Sequence, residues 1–583
     1  MAGHKTWAAA AVLTGLIAPL VLPDFYITLL IYTGLASLVV VGLVVLTGVG
    51  GMTSFGQATF VGLSAYATAV LSTAFGWSPW AALLVSIALT CSSAWLIGLL
   101  TIRLSGHYLV LGTIAWSISL YYVFGNMMIL GGYNGLSGLP AVTLFGYPLT
   151  GFRNSYYLIW IFVLGAVVCT ANLLDSRVGR AIRSLRNPVL AESFGVDIYK
   201  LRLAVFVYAA LLAALAGWLQ AHYFRFVNPT PFGFDASIEY AFMLVVGGAT
   251  NIVGAIAGAF VLIVGKTSLQ ILLPKISPDI AHWDKIFFGL MIIGLFHYAR
   301  GGIVSTHRFG LGAKRSRAVA GSMPAHEKTA ASDAQLLRVE GVTKRFGALV
   351  AVNNVSFDVA AGKVVGVIGP NGAGKSTLFN LITGTLPIDS GKVWLGDQLL
   401  SGMAPHDIVR HRVARTFQHV QLRPGLSVLD NVALGGHWRE NTGFLASLVR
   451  LDRVQERRIR ANALEQIRRV GLEDVADVDA HSLPLGKQRI VEIARALCAS
   501  PTLLLLDEPA AGLRYQEKVA LADLISQLRE EGMSVLVVEH DMDFLMNLAD
   551  HIVVISFGTK LSEGSPLHVQ SDPKVIETYL GVE

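Results

Sequence analysis

Between Lys5 and Arg103 the chain carries a single charged residue, Asp24. No soluble core uses so long an uncharged stretch, whereas the hydrocarbon of a bilayer demands one. Charge divides the 583 residues unevenly. Residues 1–299 hold 13 Lys+Arg and 8 Asp+Glu, and the rest hold 32 and 31. The first half therefore reads as membrane-embedded and the second as a soluble domain. Apolar runs long enough to cross lie at 7–22, 27–46, 58–74, 79–102, 108–124, 156–174, 203–222, 252–273 and 286–298. A shorter run at 238–246 reads as a crossing or a broken helix. Together they predict about eight to ten spans. Run 7–22 is followed at once by further spans and has no convincing small-residue cleavage site, so it reads as a span, not a signal peptide.

The loop 175–202 carries Arg177, Arg180, Arg183, Arg186, Lys200 and Arg202, and the segment after the last run carries Arg300, Arg308, Lys314, Arg315 and Arg317. Such clusters beside spans mark cytoplasmic loops, and they hold most of the net charge of +6, which therefore does not point to a nucleic-acid-binding face. Two short helices are expected in this loop, around 178–186 and 189–194, separated by Asn187-Pro188 and ended by Gly195. A short helix with no bilayer to bury its apolar face is a docking piece for a soluble domain. Glu239, at the edge of an apolar run, is a candidate functional residue, because carboxylates are costly inside membranes. Residues 301–335 are rich in Ala, Gly and Ser without periodicity, which predicts a flexible linker. Cys91, Cys169 and Cys498 form neither a ligand set nor a disulfide pattern.

From Leu336 onward short strands alternate with amphipathic helices, an α/β pattern. Gly369, Pro370, Asn371, Gly372, Ala373, Gly374, Lys375, Ser376 and Thr377 fit the phosphate-loop pattern between a buried strand (Val364–Ile368) and a helix beginning near 378–382. Glycines let backbone N–H groups turn toward phosphate oxygens, and the helix N-terminus adds partial positive charge. Lys375 can reach the β- and γ-phosphates of ATP, and Ser376 can ligate Mg²⁺. The apolar run 503–506 leads into Asp507 and Glu508, a strand end placed to hold Mg²⁺ and to activate water.

With these motifs in order, residues 336–581 resemble the nucleotide-binding domain of an ATP-binding cassette (ABC) transporter. The resemblance implies that Phe346 stacks on adenine, that Gln418 in Arg415-Thr-Phe-Gln-His contacts Mg²⁺ and senses the membrane domain, and that His540 contacts the γ-phosphate. Leu483, Pro484, Leu485, Gly486 and Lys487 occupy the place of the signature sequence. Here Pro484 stands where the family has serine, and Arg514 stands where it usually has aspartate. That departure implies two unequal ATP sites and a different ATPase chain as natural partner.

A narrower resemblance covers nearly the whole chain. Gly50-Gly-Met-Thr-Ser-Phe-Gly-Gln, Asn134-Gly-Leu-Ser-Gly-Leu-Pro and 177–195 are similar to a permease subunit of branched-chain amino-acid ABC importers, and Asp507-Glu-Pro-Ala-Ala-Gly-Leu to an ATP-binding subunit of the same systems. Asn187, Pro188, Ala191, Glu192 and Gly195 lie where those permeases place the coupling helix. The expectation is an all-α membrane permease domain (1–300), a linker (301–335) and an α/β P-loop cassette (336–583) in the bacterial inner membrane. Glu508 would be the general base, with Lys375 and His540 at the phosphates, in ATP-driven uptake of branched-chain or related small amino acids. Implied partners are a second permease, a second ATPase and a periplasmic binding protein, with no nucleic acid. A homodimeric exporter, a membrane-anchored regulatory ATPase that moves no solute, and an importer of amides or urea are the alternatives.

Overall fold

The computed structural model describes residues 14–102, 107–276, 301–304, 335–440 and 443–580, with isolated positions between 286 and 297. Most of the expected linker, run 7–22 before residue 14 and most of run 286–298 lie outside the described residues. The chain divides into two compact units: 1–175 with 199–313 and 448–450, and 176–198 with 314–447 and 451–583.

In the first unit, six described helices are long and apolar enough to cross a bilayer: Asp24–Val49, Pro79–Thr101, Tyr108–Asn126, Phe152–Leu174, Ile198–Phe224 and Ile252–Leu272. Gln57–Thr73 and Phe234–Gly247 are shorter, at 17 and 14 residues. The helix beginning at Asp24 changes from α-helix to a π-helix over Val44–Val49, which an apolar run does not reveal. The run at 238–246 is the core of the 14-residue helix, which returns through Gly248 into Ile252–Ile276. These two helices are held close by glycine: a Cβ on Gly258 would stand 2.7 Å from the Gly247 nitrogen.

The second unit is built on β1 (Gln335–Phe346), β2 (Leu349–Ala360), β3 (Val364–Ile368), β4 (Ser390–Leu395), β5 (Gln398–Leu399), β6 (Val413–Arg415), β7 (Leu503–Asp507), β8 (Ser534–Val538), β9 (His551–Ser556) and β10 (Thr559–Gly564). β2-β1-β4-β5 form an antiparallel sheet, and the central sheet runs β6-β7-β8-β3-β9-β10. Pairing there is parallel except between β9 and β10. Every residue of β3, β7 and β8 is buried. Continuous apolar runs, not alternating ones, are what a parallel sheet covered on both faces requires. A separate apolar core joins helices Val428–Leu434, Arg453–Arg469 and Leu485–Cys498 through Val432, Ile459, Ala463, Ile467 and Val491.

This topology decides where chemistry can occur. Neighbouring parallel strands β6, β7, β8 and β3 end side by side, with Asp507 opposite Val538 and Val538 opposite Val367. Ligands of open α/β sheets bind beyond such carboxyl ends.

Candidate functional site

The four strand ends deliver the motifs. β3 runs into Gly369, β7 ends at Asp507 and continues to Glu508, β8 continues to Glu539-His540, and β6 leads through Thr416-Phe417 to Gln418. After β3, Gly374 has φ +99° and caps the helix Lys375–Ile382. A side chain there would run into the Ala351 carbonyl, so glycine is required on both counts. The helix thus starts three residues before the apolar pattern suggests, at the motif's own lysine. Asn371 and Ser376 are exposed beside the buried Ala373. The Lys375 ammonium donates to the carbonyls of Gly369 (2.7 Å) and Pro370 (3.0 Å). Burial lowers its pKa, while the carboxylates of Glu508 and Asp507 oppose the shift.

Glu508 gathers the rest. It has φ +48°, a left-handed conformation that non-glycine residues rarely adopt and that concentrates at functional sites. Its amide donates to the Val538 carbonyl (2.9 Å), which ties the strained residue to the neighbouring strand. Gln418 Nε2 donates to Glu508 Oε2 at 3.1 Å, and His540 Nδ1 stands 3.9 Å from the same oxygen. Burial, then the neighbouring Glu508 charge, favours the neutral form of Asp507, with Arg415 opposing them. Asp507 Oδ1 is buried and accepts no hydrogen bond among the described residues, an orphaned carboxylate oxygen that suits a Mg²⁺ ion. Phe346, at the end of β1, is half exposed.

Two residues missed by sequence reasoning hold this arrangement. Glu539, fully buried, accepts from the Ala510 amide (2.7 Å) and from the His540 amide (3.2 Å), joining the segment after Glu508 to the histidine. Arg489, four residues into the helix Leu485–Cys498, donates to the carbonyls of Glu508 (3.0 Å) and Gln418 (3.3 Å). Their placement in an apolar strand end and directly after the signature positions was the available signal.

At the signature positions, Pro484 precedes the helix Leu485–Cys498 and provides no side-chain cap. Leu485 and Lys487 are exposed, and Leu483 is buried, its carbonyl accepting from Gln488 at 2.6 Å. The Glu517 carboxylate lies against Gly486, where an added Cβ would collide with it, and it accepts from the Arg514 amide at 2.9 Å.

The loop 176–198, expected to dock, belongs to the same compact unit as the cassette. It contains helices Arg177–Ser184 and Pro188–Glu192. Asn187 caps the second helix through the Leu190 amide (3.2 Å), and its Nδ2 reaches Gln421 Oε1 (2.5 Å). Leu190 and Phe194 form a small core with Phe417 and Leu434. Ala191 is buried and Glu192 half-buried. The Arg495 guanidinium lies 5.0 Å from the centre of the Phe194 ring and donates to the Gln421 carbonyl (2.9 Å). Gly195, at φ +84°, lets the chain pass against Trp438, whose Cβ a side chain would meet at 2.6 Å. Docking side chains therefore touch Phe417 and Gln421, which flank Gln418, and Gln418 touches Glu508.

A second anchor is ionic. Arg180 is fully buried and makes paired hydrogen bonds to Glu456 (2.5 and 2.9 Å), with Asp430 at 4.0 Å. Arg460 bonds the same two carboxylates, at 2.7 and 2.8 Å. Burial alone would raise the Glu456 pKa, but Arg180 and then Arg460 override it and bring it down to about 2. A carboxyl depressed from its ordinary 4.5 stabilises the fold above that value and loses the contribution as pH falls toward 2. Acid unfolding of the solubilised protein, followed by circular dichroism, should therefore steepen between about pH 4.5 and 2, with a shallower slope in E456Q.

Comparisons with known proteins reach both halves of the chain. Residues 25–296 match the family described as branched-chain amino acid transport system / permease component. Residues 352–511 match ABC transporter, and 559–583 match branched-chain amino acid ATP-binding cassette transporter. The chain is 42% identical over 249 residues to the high-affinity branched-chain amino acid transport ATP-binding protein BraF of Pseudomonas aeruginosa, covering 42% of this chain and 98% of that protein. Identity is 41% over 251 residues to the similarly described LivG of Escherichia coli K12, with the same coverage. A solved nucleotide-free cassette from an ABC transporter is 33% identical and covers 42% of this chain and 99% of its own, with a TM-score of 0.39. The soluble unit is an ATP-hydrolysing transporter cassette, and the protein is a multi-pass membrane protein with its ATPase in the cytoplasm. The chain belongs to the branched-chain amino-acid ABC transporter family, with permease and ATP-binding cassette fused in one polypeptide.

Proposed function

We propose that this chain takes up branched-chain or related small aliphatic amino acids across the bacterial inner membrane, powered by ATP hydrolysis at Glu508. The observation that carries the reading is that Leu190, Phe194 and Asn187 contact Phe417 and Gln421, which flank Gln418 in the chain, and that Gln418 contacts Glu508. Permease 1–300 and cassette 336–583 thereby work as one machine across the linker 301–335.

Phe346 stacks on the adenine. The loop amides from Gly369 to Thr377 and the Lys375 ammonium hold the phosphates, Lys375 exchanging its loop carbonyls for phosphate oxygens. Ser376, Gln418 and Asp507 are the candidate Mg²⁺ ligands, and Mg²⁺ when bound neutralises charge on the β- and γ-phosphate oxygens. Glu508 removes the proton from the attacking water as the oxygen–phosphorus bond forms and the bond to the bridging oxygen of ADP breaks. His540 donates to the γ-phosphate. Gln418 reports the result to the docking loop, which continues directly into the membrane helices Phe152–Leu174 and Ile198–Phe224.

The partners are a second permease, a second ATPase and a periplasmic binding protein that delivers substrate. Pro484 removes the hydroxyl that would meet a γ-phosphate, so the composite site using this chain's signature is the weaker of two. P484S should speed hydrolysis at this composite site about tenfold, the worth of one hydrogen bond to a charged group, and so raise turnover of the complex by up to about twofold as the weaker site comes to match the stronger. An unchanged rate in a phosphate-release assay contradicts the unequal sites. The function is tested by purifying the tagged chain from its native membrane and identifying its companions by mass. Recovery of the three partners is expected, and a homodimer without them would overturn the reading.

A further inference from the structure

Lys266 stands fourteen residues into helix Ile252–Ile276, about 21 Å along its axis and so near its middle. Its ammonium bonds Glu239 Oε1, on the neighbouring helix Phe234–Gly247, at 2.5 Å. The two helices run antiparallel, with Gly254 against Gly247 and Gly258 against Met243. Continuing that register sets Glu239 beside position 262. Helical side chains lean toward the N-terminus, which carries Lys266 back one turn to meet it. Among the described residues the pair is only partly covered: the side chains are 41% and 36% exposed. Charged groups at membrane depth face a bundle interior or a water-filled cavity, because hydrocarbon tails leave them uncompensated.

We propose that Glu239 and Lys266 form the zwitterion-binding site of the transport path, Glu239 taking the substrate's α-ammonium and Lys266 its α-carboxylate. The inference rests on the amino-acid import proposed above. In the empty path the two charges satisfy each other. On substrate entry one ion pair is exchanged for two, and the net charge in the membrane stays zero throughout. That balance favours amino acids with uncharged side chains and leaves the side chain itself to apolar surroundings. A ligand lacking either charged end would strand one protein charge at mid-membrane.

The test uses the assembled complex with its binding protein in proteoliposomes, following ATP-dependent uptake of radiolabelled L-leucine. Two variants avoid stranding a single charge: E239Q/K266Q, which removes both, and E239K/K266E, which keeps the ion pair but exchanges its ends. Size-exclusion chromatography checks that each assembles. Both should lose about 10- to 100-fold in initial uptake rate, the worth of one or two charge-assisted bonds to substrate. Wild-type uptake in the exchanged pair would show that the ion pair only joins two helices, and the inference would fail while leucine import stands. Undiminished uptake in the neutral pair would overturn it equally. A wild-type complex that moves no branched-chain amino acid would overturn the proposed function, and this inference with it.

Discussion

Replacing Glu508 with glutamine is expected to lower ATP hydrolysis by about 10²- to 10⁴-fold, the contribution of a positioned general base. The substitution keeps the side chain's size and its oxygen toward Gln418 Nε2, 3.1 Å away, while removing the carboxylate proposed to accept the proton from water. Nucleotide affinity should be little changed, because Lys375 and the loop amides are untouched. Phosphate release and fluorescent-nucleotide titration on the same preparation separate the two effects. Loss of nucleotide affinity together with hydrolysis would instead place Glu508 among the phosphate-binding groups. The left-handed backbone at Glu508 adds a second consequence. Its geometry is imposed by the Val538 carbonyl and by Arg489, so R489A should lower turnover without removing any group that meets the nucleotide.

The other large effect concerns the docking loop. Arg180 lies against Glu456 and Asp430, which Arg460 also binds, so its removal takes one cation from a buried ionic cluster. R180A leaves Glu456 buried with Arg460 as its remaining close cation. Removing one partner of a buried pair costs about 3–5 kcal/mol, which should appear as a lower denaturation midpoint of the purified protein. Transport should fall much further than ATP hydrolysis, because the phosphate loop, Glu508 and His540 share no contact with Arg180. Parallel loss of both activities in proportion would mean that Arg180 supports the cassette fold rather than the coupling of its cycle to the membrane.

What could be read from residues alone followed physical rules with strong local signatures. Strand Val364–Ile368 was legible because an all-apolar run ending in glycine has few other uses. The helices around Asn187-Pro188 were legible because proline and a capping asparagine mark a start. Other features left little trace. The π-turn at Val44–Val49 depends on hydrogen-bond register, to which composition is blind. Arg180 was read with its neighbours as an orientation signal, since a lone arginine in a basic loop looks solvated, and its carboxylate partner is 276 residues away. Glu539 and Arg489 leave as little trace, because each binds a backbone group of another segment, Ala510 and Glu508. Glu239 was noticed for its apolar setting, but its pairing with Lys266 needed the antiparallel packing of two helices.

The most direct test of the whole account is ATP-dependent uptake of L-leucine by proteoliposomes holding the complex, with wild-type chain compared to E508Q. Uptake should accumulate leucine against its gradient in the wild type and vanish in the variant. Leucine entry that persists in E508Q, or ATP hydrolysis by the wild type with no amino acid moved, would contradict it.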